Sequence, residues 1–195
     1  VFVHWGAEYK LAPAPEDRKL AKALLDAGAF AVIGHHPHVL QPVEFVTRTD
    51  GTRGLVAFSL GNLLSNQDAF VADGLRRDGL LLGLELTKQD GVMRLSAVTP
   101  VPIVTEHTTG AAKKRDVQVF PVDAQLASLN ARLAELSKLT GPAVKKERAA
   151  LLWRRRVALS RLARITSFLR PLETADESLL PRAAAAVDGV PAGAP

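Results

Sequence analysis

At 195 residues, 47% of them hydrophobic, the chain is long enough for one folded domain with an extension and apolar enough for a core. It has no cysteine, which excludes disulfides and thiolate metal sites, and no apolar run approaches the length of a membrane span. The net charge of +5 is unevenly spread: residues 1–140 hold 15 basic and 15 acidic side chains, residues 141–170 carry +8 and residues 171–195 carry −3.

The chain opens on an apolar run, Val1-Phe2-Val3, that ends in His4-Trp5-Gly6 and reads as a strand. A helix is expected from Pro15, with Glu16 and Asp17 in its first turn and Gly28 just past its end. Leu20, Leu24 and Ala27 give it an apolar stripe. A second buried strand follows at Ala29-Phe30-Ala31-Val32-Ile33 and runs into Gly34-His35-His36-Pro37-His38. Strand, helix, strand is a βαβ unit, whose strands are normally parallel, and ligands of such sheets bind beyond the strand carboxyl ends. His4 and the second histidine group therefore meet in one crevice. Four of the five histidines lie in these two places, and imidazole is the commonest neutral metal ligand. Alternation along an extended chain puts His36 and His38 on one side and His35 on the other, with Pro37 stiffening the pair into a prong.

Beyond residue 38 the sequence reads as β structure. Val39–Thr47, Gly54–Ser59, Gly79–Thr87 and Val92–Val104 are apolar-rich, and Asp50-Gly51 and Asp90-Gly91 mark hairpin turns. In Ser59-Leu60-Gly61-Asn62 the glycine permits an unusual backbone angle. Asn62 by itself is read as a turn residue bonding its own backbone, with a polar contact to the site as the alternative. Glu8 is either a group beside the site or a solvated charge. Residues 106–116 read as a polar link carrying a solvated His107. Leu126, Leu129, Leu133, Leu136 and Leu139 then mark an amphipathic helix ended by Gly141-Pro142. A second helix spans about residues 143–169, and the two are expected to form a hairpin. From Pro171 the chain is rich in Ala, Pro and Gly and reads as a disordered tail. The expected organisation is a site-bearing part over 1–122, a helical hairpin extension over 123–170 and a tail over 171–195.

Three motifs in order, Val3-His4-Trp5-Gly6-Ala7-Glu8-Tyr9, then Val32-Ile33-Gly34-His35-His36-Pro37-His38-Val39-Leu40-Gln41-Pro42-Val43-Glu44, then Phe58-Ser59-Leu60-Gly61-Asn62-Leu63, resemble the CapA family over about residues 1 to 70. These are proteins of poly-γ-glutamate capsule synthesis, relatives of the calcineurin-like metallophosphatases. The resemblance implies an α/β fold, part of an αββα sandwich followed here by helices. It implies divalent metal ions of the Mn, Zn or Fe class, two in the complete protein. His4 and His36 would serve one ion and His38 its neighbour, with His35 an alternative ligand. His36, His38 and Glu8 become the candidate catalytic residues. The family's Gly-Asp, Asn-Leu-Glu and Asn-Asn-His motifs precede the His-Trp-Gly segment and do not occur in this chain. It is therefore expected to be the C-terminal part of a larger protein, with the bridging carboxylate lying elsewhere. Family likeness points to the cell envelope or an extracytoplasmic setting.

Two functions follow from these readings. One is a metal-dependent hydrolase acting at a phosphoryl or acyl centre of an anionic polymer or phosphorylated substrate. The other is a non-catalytic accessory protein that binds anionic polymer or the cell envelope through the arginines of residues 154–164. Only Trp153 and Phe168 accompany those arginines as stacking groups, so nucleic acid is the least favoured partner.

Overall fold

The computed structural model describes residues 1–65, 67, 74–89, 91–109, 115–169 and 172. Strands β1 (Phe2–His4), β2 (Ala31–His35), β3 (Val43–Thr47) and β4 (Arg53–Ala57) form one sheet in the order β1-β2-β4-β3. β1, β2 and β4 run parallel, and β3 returns antiparallel on the outer edge of β4. Helix α1 (Pro15–Asp26) crosses over between β1 and β2, as the βαβ reading requires. The carboxyl ends of β1, β2 and β4 thus lie at one end of the sheet. A second sheet is the antiparallel meander β5 (Asp78–Gln89), β6 (Val92–Thr109) and β7 (Arg115–Pro121). The isolated bridge Gly61–Gly79 joins the segment after β4 to β5 of the second sheet, while Leu40–Leu60 pairs the segments that precede β3 and follow β4. Helices α2 (Val122–Leu136) and α3 (Pro142–Ser167) close the described chain, and no helix among the described residues is long and apolar enough to cross a membrane. The whole is a mixed α/β structure, consistent with part of a two-sheet sandwich with C-terminal helices.

Alternation along the parallel strands sorts their side chains into two cores. Val32 and Val56 face α1 and pack with Ala21, Leu25, Trp5 and Phe58. Ala31, Ile33, Leu55 and Ala57 face the other way, into a core completed by Leu80, Val98 and Val104 of the second sheet and by Val122, Ile165, Leu169 and Leu172. The last turns of the basic helix pack into this larger core through Ile165 and the Leu169 that follows it. Of its charges, Arg161 is only 7% exposed and bonds Asp78 and Glu106 at 2.8 Å each, while Arg164 bonds Asp78 at 2.7 Å. Burial pushes the Asp78 carboxyl above its usual range, and the two guanidiniums offset part of that rise.

Several local expectations change. The buried stripe of α1 is Asp17, Ala21 and Leu25, and Leu20 is exposed. Two overlapping apolar stripes exist in this helix, and the one carrying the small Ala21 is what the sheet accepts. Val1-Phe2-Val3 is an edge, not a buried run, and Phe2 is 78% exposed. Residues 106–109 continue β6 and 115–121 form β7, where a polar link was expected; residues 110–114 lie outside the described ones. β7 alternates Val117 and Val119 with polar residues, and pairing with β6 stabilises it despite the preceding basic cluster. His107 is not solvated: its Nε2 donates to the Ser65 carbonyl at 2.7 Å. Asp90 and, apart from the buried Leu172, the expected tail over 171–195 lie outside the described residues.

Candidate functional site at the strand ends

β1 ends at His4 and β2 at His35, and these two are register partners, so their side chains share one face. His35 stacks on Phe2, ring centroids 6.2 Å apart. Burial holds the His35 imidazole below its ordinary pKa, and the neighbouring His4 adds to the effect. His35 is thus held toward its neutral, ligand-competent form. Beyond the strand the chain turns sharply. His36 has φ +103° and His38 φ +58°, so the expected extended prong does not form. Each such backbone costs about 1–3 kcal/mol and persists only where surroundings impose it. Here three hydrogen bonds from other segments impose it: Trp5 N–H to the His35 carbonyl at 3.2 Å, Tyr9 N–H to the Pro37 carbonyl at 2.8 Å, and Asn62 Nδ2 to the His38 carbonyl at 3.2 Å. Gly34 beneath the turn admits no side chain, since a Cβ there would lie 2.1 Å from the Phe58 carbonyl oxygen.

The turn brings three imidazoles together. His4 and His36 have ring centroids 4.5 Å apart, and His36 and His38 6.3 Å. Tyr9, itself at φ +64°, places its ring 6.3 Å from His38. Tyr9, His36 and His38 are the non-glycine residues with positive φ among the described residues, and all three sit at this cluster. Backbone strain concentrated in one place is a mark of a functional site.

Asn62, at the end of the segment leaving β4, is the residue that the local sequence reading misassigned. It does not bond its own backbone. Its Nδ2 donates to the carbonyls of His38 and Arg76, at 3.2 and 2.9 Å, which fixes the amide orientation. Its Oδ1 therefore accepts from His38 Nδ1 at 2.9 Å. That bond makes Nδ1 the protonated nitrogen and leaves the Nε2 lone pair of His38 for a ligand. No signal within the Ser-Leu-Gly-Asn segment alone shows this, because one partner lies 24 positions before Asn62 and the other 14 after it.

Chemically, the cluster suits part of a metal site. Two imidazoles holding one ion at about 2.0–2.1 Å have ring centres on the order of 5 Å apart, which the 4.5 Å between His4 and His36 fits and the 6.3 Å between His36 and His38 exceeds. Among the described residues, however, no three His, Cys, Asp or Glu side chains converge into a metal-holding group. Glu8 is exposed and forms no hydrogen bond or ion pair among the described residues, so the structure does not set it against the imidazoles.

Comparison with known proteins places this segment. Residues 1–67 match the family described as bacterial capsule synthesis protein PGA_cap. The chain is similar to the PGA biosynthesis protein CapA of Bacillus subtilis (strain 168), 39% identical over 113 residues, which is 58% of this chain and 26% of that protein. It is also similar to the capsule biosynthesis protein CapA of Bacillus anthracis, 45% identical over 67 residues, 34% of this chain and 15% of that protein. The matches thus span about a quarter or less of the length of these relatives.

Proposed function

We propose, from the premise that the chain belongs through residues 1–67 to the CapA family of bacterial capsule synthesis proteins, that it is a capsule-type protein whose work is done at the imidazole cluster. In this reading His4, His36 and His38 hold divalent metal of the Mn, Zn or Fe class. The observation that carries the reading is the gathering of the three rings by strained, externally pinned backbone. A bound divalent ion supplies Lewis-acid polarisation of a phosphoryl or acyl oxygen and lowers the pKa of water. This chain's residues supply the imidazole nitrogens and, through Asn62, the tautomer of His38. Oxygen donors needed by hard ions come from outside the four imidazoles. Hydrolysis at a phosphoryl or acyl centre of an anionic polymer is the activity proposed for the complete protein, with Glu8 proposed to help position the substrate.

Equilibrium dialysis against zinc or manganese, followed by elemental analysis, tests the site. The chain should retain metal, and His36→Ala and His4→Ala should each lower the retained amount several-fold. Equal retention by all three proteins would sink the reading. With an incomplete donor set, the 195-residue chain should show negligible phosphoesterase turnover even when loaded.

A second reading, an accessory protein held to anionic polymer or the cell envelope, is favoured by one feature of α3. Trp153 is 66% exposed beside the exposed Leu152, with Arg154 and Arg156 also exposed. An apolar pair within a basic face suits an anionic interface.

A further inference from the structure

Arg76 lies outside the three sequence motifs, in the short 3₁₀ turn Leu75–Arg77 that precedes β5. Its guanidinium carbon sits 3.8 Å from the centroid of the Tyr9 ring. Stacking uses the flat face of the guanidinium and leaves its in-plane N–H donors available. Among the described residues no carboxylate pairs with it, whereas Arg161, which bonds the carbonyl of the adjacent Arg77, is neutralised by Asp78 and Glu106. Its place is fixed from both sides. The Arg76 carbonyl accepts from the same Asn62 amide that orients His38, and Tyr9 is tied by its N–H to the Pro37 carbonyl between the two strained histidines. A cationic fork is thus stationed, through Tyr9 and Asn62, beside the cluster of three imidazoles.

We propose that Arg76, laid on Tyr9, is the oxyanion-binding side chain of the imidazole site and takes a phosphate or carboxylate group of its ligand. The proposal rests on the reading of the imidazole cluster as the functional centre. Both groups present paired oxygens that match the guanidinium fork. Tyr9 acts as the platform: its strained backbone holds the ring where the fork must lie. Arg76 is therefore a specificity-determining residue, selecting anionic ligands, and not a metal ligand.

The test uses the 195-residue chain without metal, titrated with inorganic phosphate and separately with glutarate, and followed by NMR. The Arg76 Nε–H and the Tyr9 and His38 ring signals should shift on saturation. Arg76→Ala should weaken binding about tenfold or more, the loss of a charge-assisted contact, and Arg76→Lys less, since the charge survives without the fork. Unchanged methyl signals of Ile33 and Val56 certify that each variant is folded. A response to phosphate alone identifies a phosphoryl ligand; a response to glutarate alone identifies a carboxylate. Affinity within twofold of the parent in Arg76→Ala, or no response to either probe, overturns the proposal. Zinc retention is measured on the same samples. Lost anion binding with retained zinc in Arg76→Ala separates the clamp from the metal site, and anion binding by a parent that retains no zinc leaves the clamp standing while the metal reading fails.

Discussion

Asn62 directs its amide N–H groups and its Oδ1 at other segments, so its replacement is informative. Asn62→Ala leaves His38 Nδ1 and two carbonyls without their partner, which costs about 1–3 kcal/mol. More specifically, it frees the His38 tautomer. Imidazole ¹⁵N shifts should report one dominant tautomer in the parent and a mixture in the variant. A single unchanged tautomer would show that Asn62 is not the orienting group. At the far end of α1, Asp26 supplies a pH test. Its carboxyl is held below the usual range by the Lys22 ammonium, the Thr49 N–H and the Thr49 hydroxyl. A depressed folded value means stability present above the unfolded pKa of about 3.9 and lost as pH falls through the folded value. Thermal midpoints should therefore fall less steeply with acid in Asp26→Asn than in the parent.

At the level of elements, the first half of the fold was legible because local chemistry and topology agree. Pro15 and Gly28 bracket a crossover helix, and a right-handed βαβ unit leaves one place for His4 and His36. What was not legible depended on distant partners. The backbone of His36 is set by bonds from Trp5, Tyr9 and Asn62, against the preference that Pro37 imposes on its predecessor. β7 was hidden because its pairing with β6, not its own composition, makes it a strand. The arginines of α3 read alike in sequence, yet Arg161 is buried and Arg156 is not. Arg161→Ala leaves Asp78 with Arg164 as its only cationic partner among the described residues and takes the partner from Glu106 and the Arg77 carbonyl, and should destabilise the fold by about 1–3 kcal/mol. Arg156→Ala should change stability by less than about 0.5 kcal/mol. Denaturant midpoints of the two variants compare them directly.

Over the whole molecule, α3 has two faces with separate consequences. Its inner face, through Ile165, belongs to the core shared with β2, β4 and the second sheet. Removing residues 141–195 should abolish cooperative unfolding of the remainder, seen as loss of a sigmoidal thermal transition by circular dichroism. A truncated chain that melts like the parent would show that the core tolerates its absence. Its outer face, with Arg154, Arg156 and the exposed Trp153, should bind vesicles rich in anionic lipid. Co-sedimentation should fade as salt rises, since screening cuts the reach of these charges to about 10 Å at 0.1 M. Zinc retention should be unchanged over the same salt range.

The relay from Arg161 to the histidines also bears on when the site can exist. Arg161 bonds the Arg77 carbonyl at 3.0 Å, the adjacent Arg76 carbonyl holds Asn62, and Asn62 holds His38. A ribosome releases the histidines long before it releases the residue that anchors their support. During synthesis the emerging chain can pair β1 with β2, but the Arg77 carbonyl beside the Arg76–Asn62 bond still lacks its Arg161 partner. Of the segments that build the imidazole cluster, the support from Arg161 is thus added after the histidines themselves.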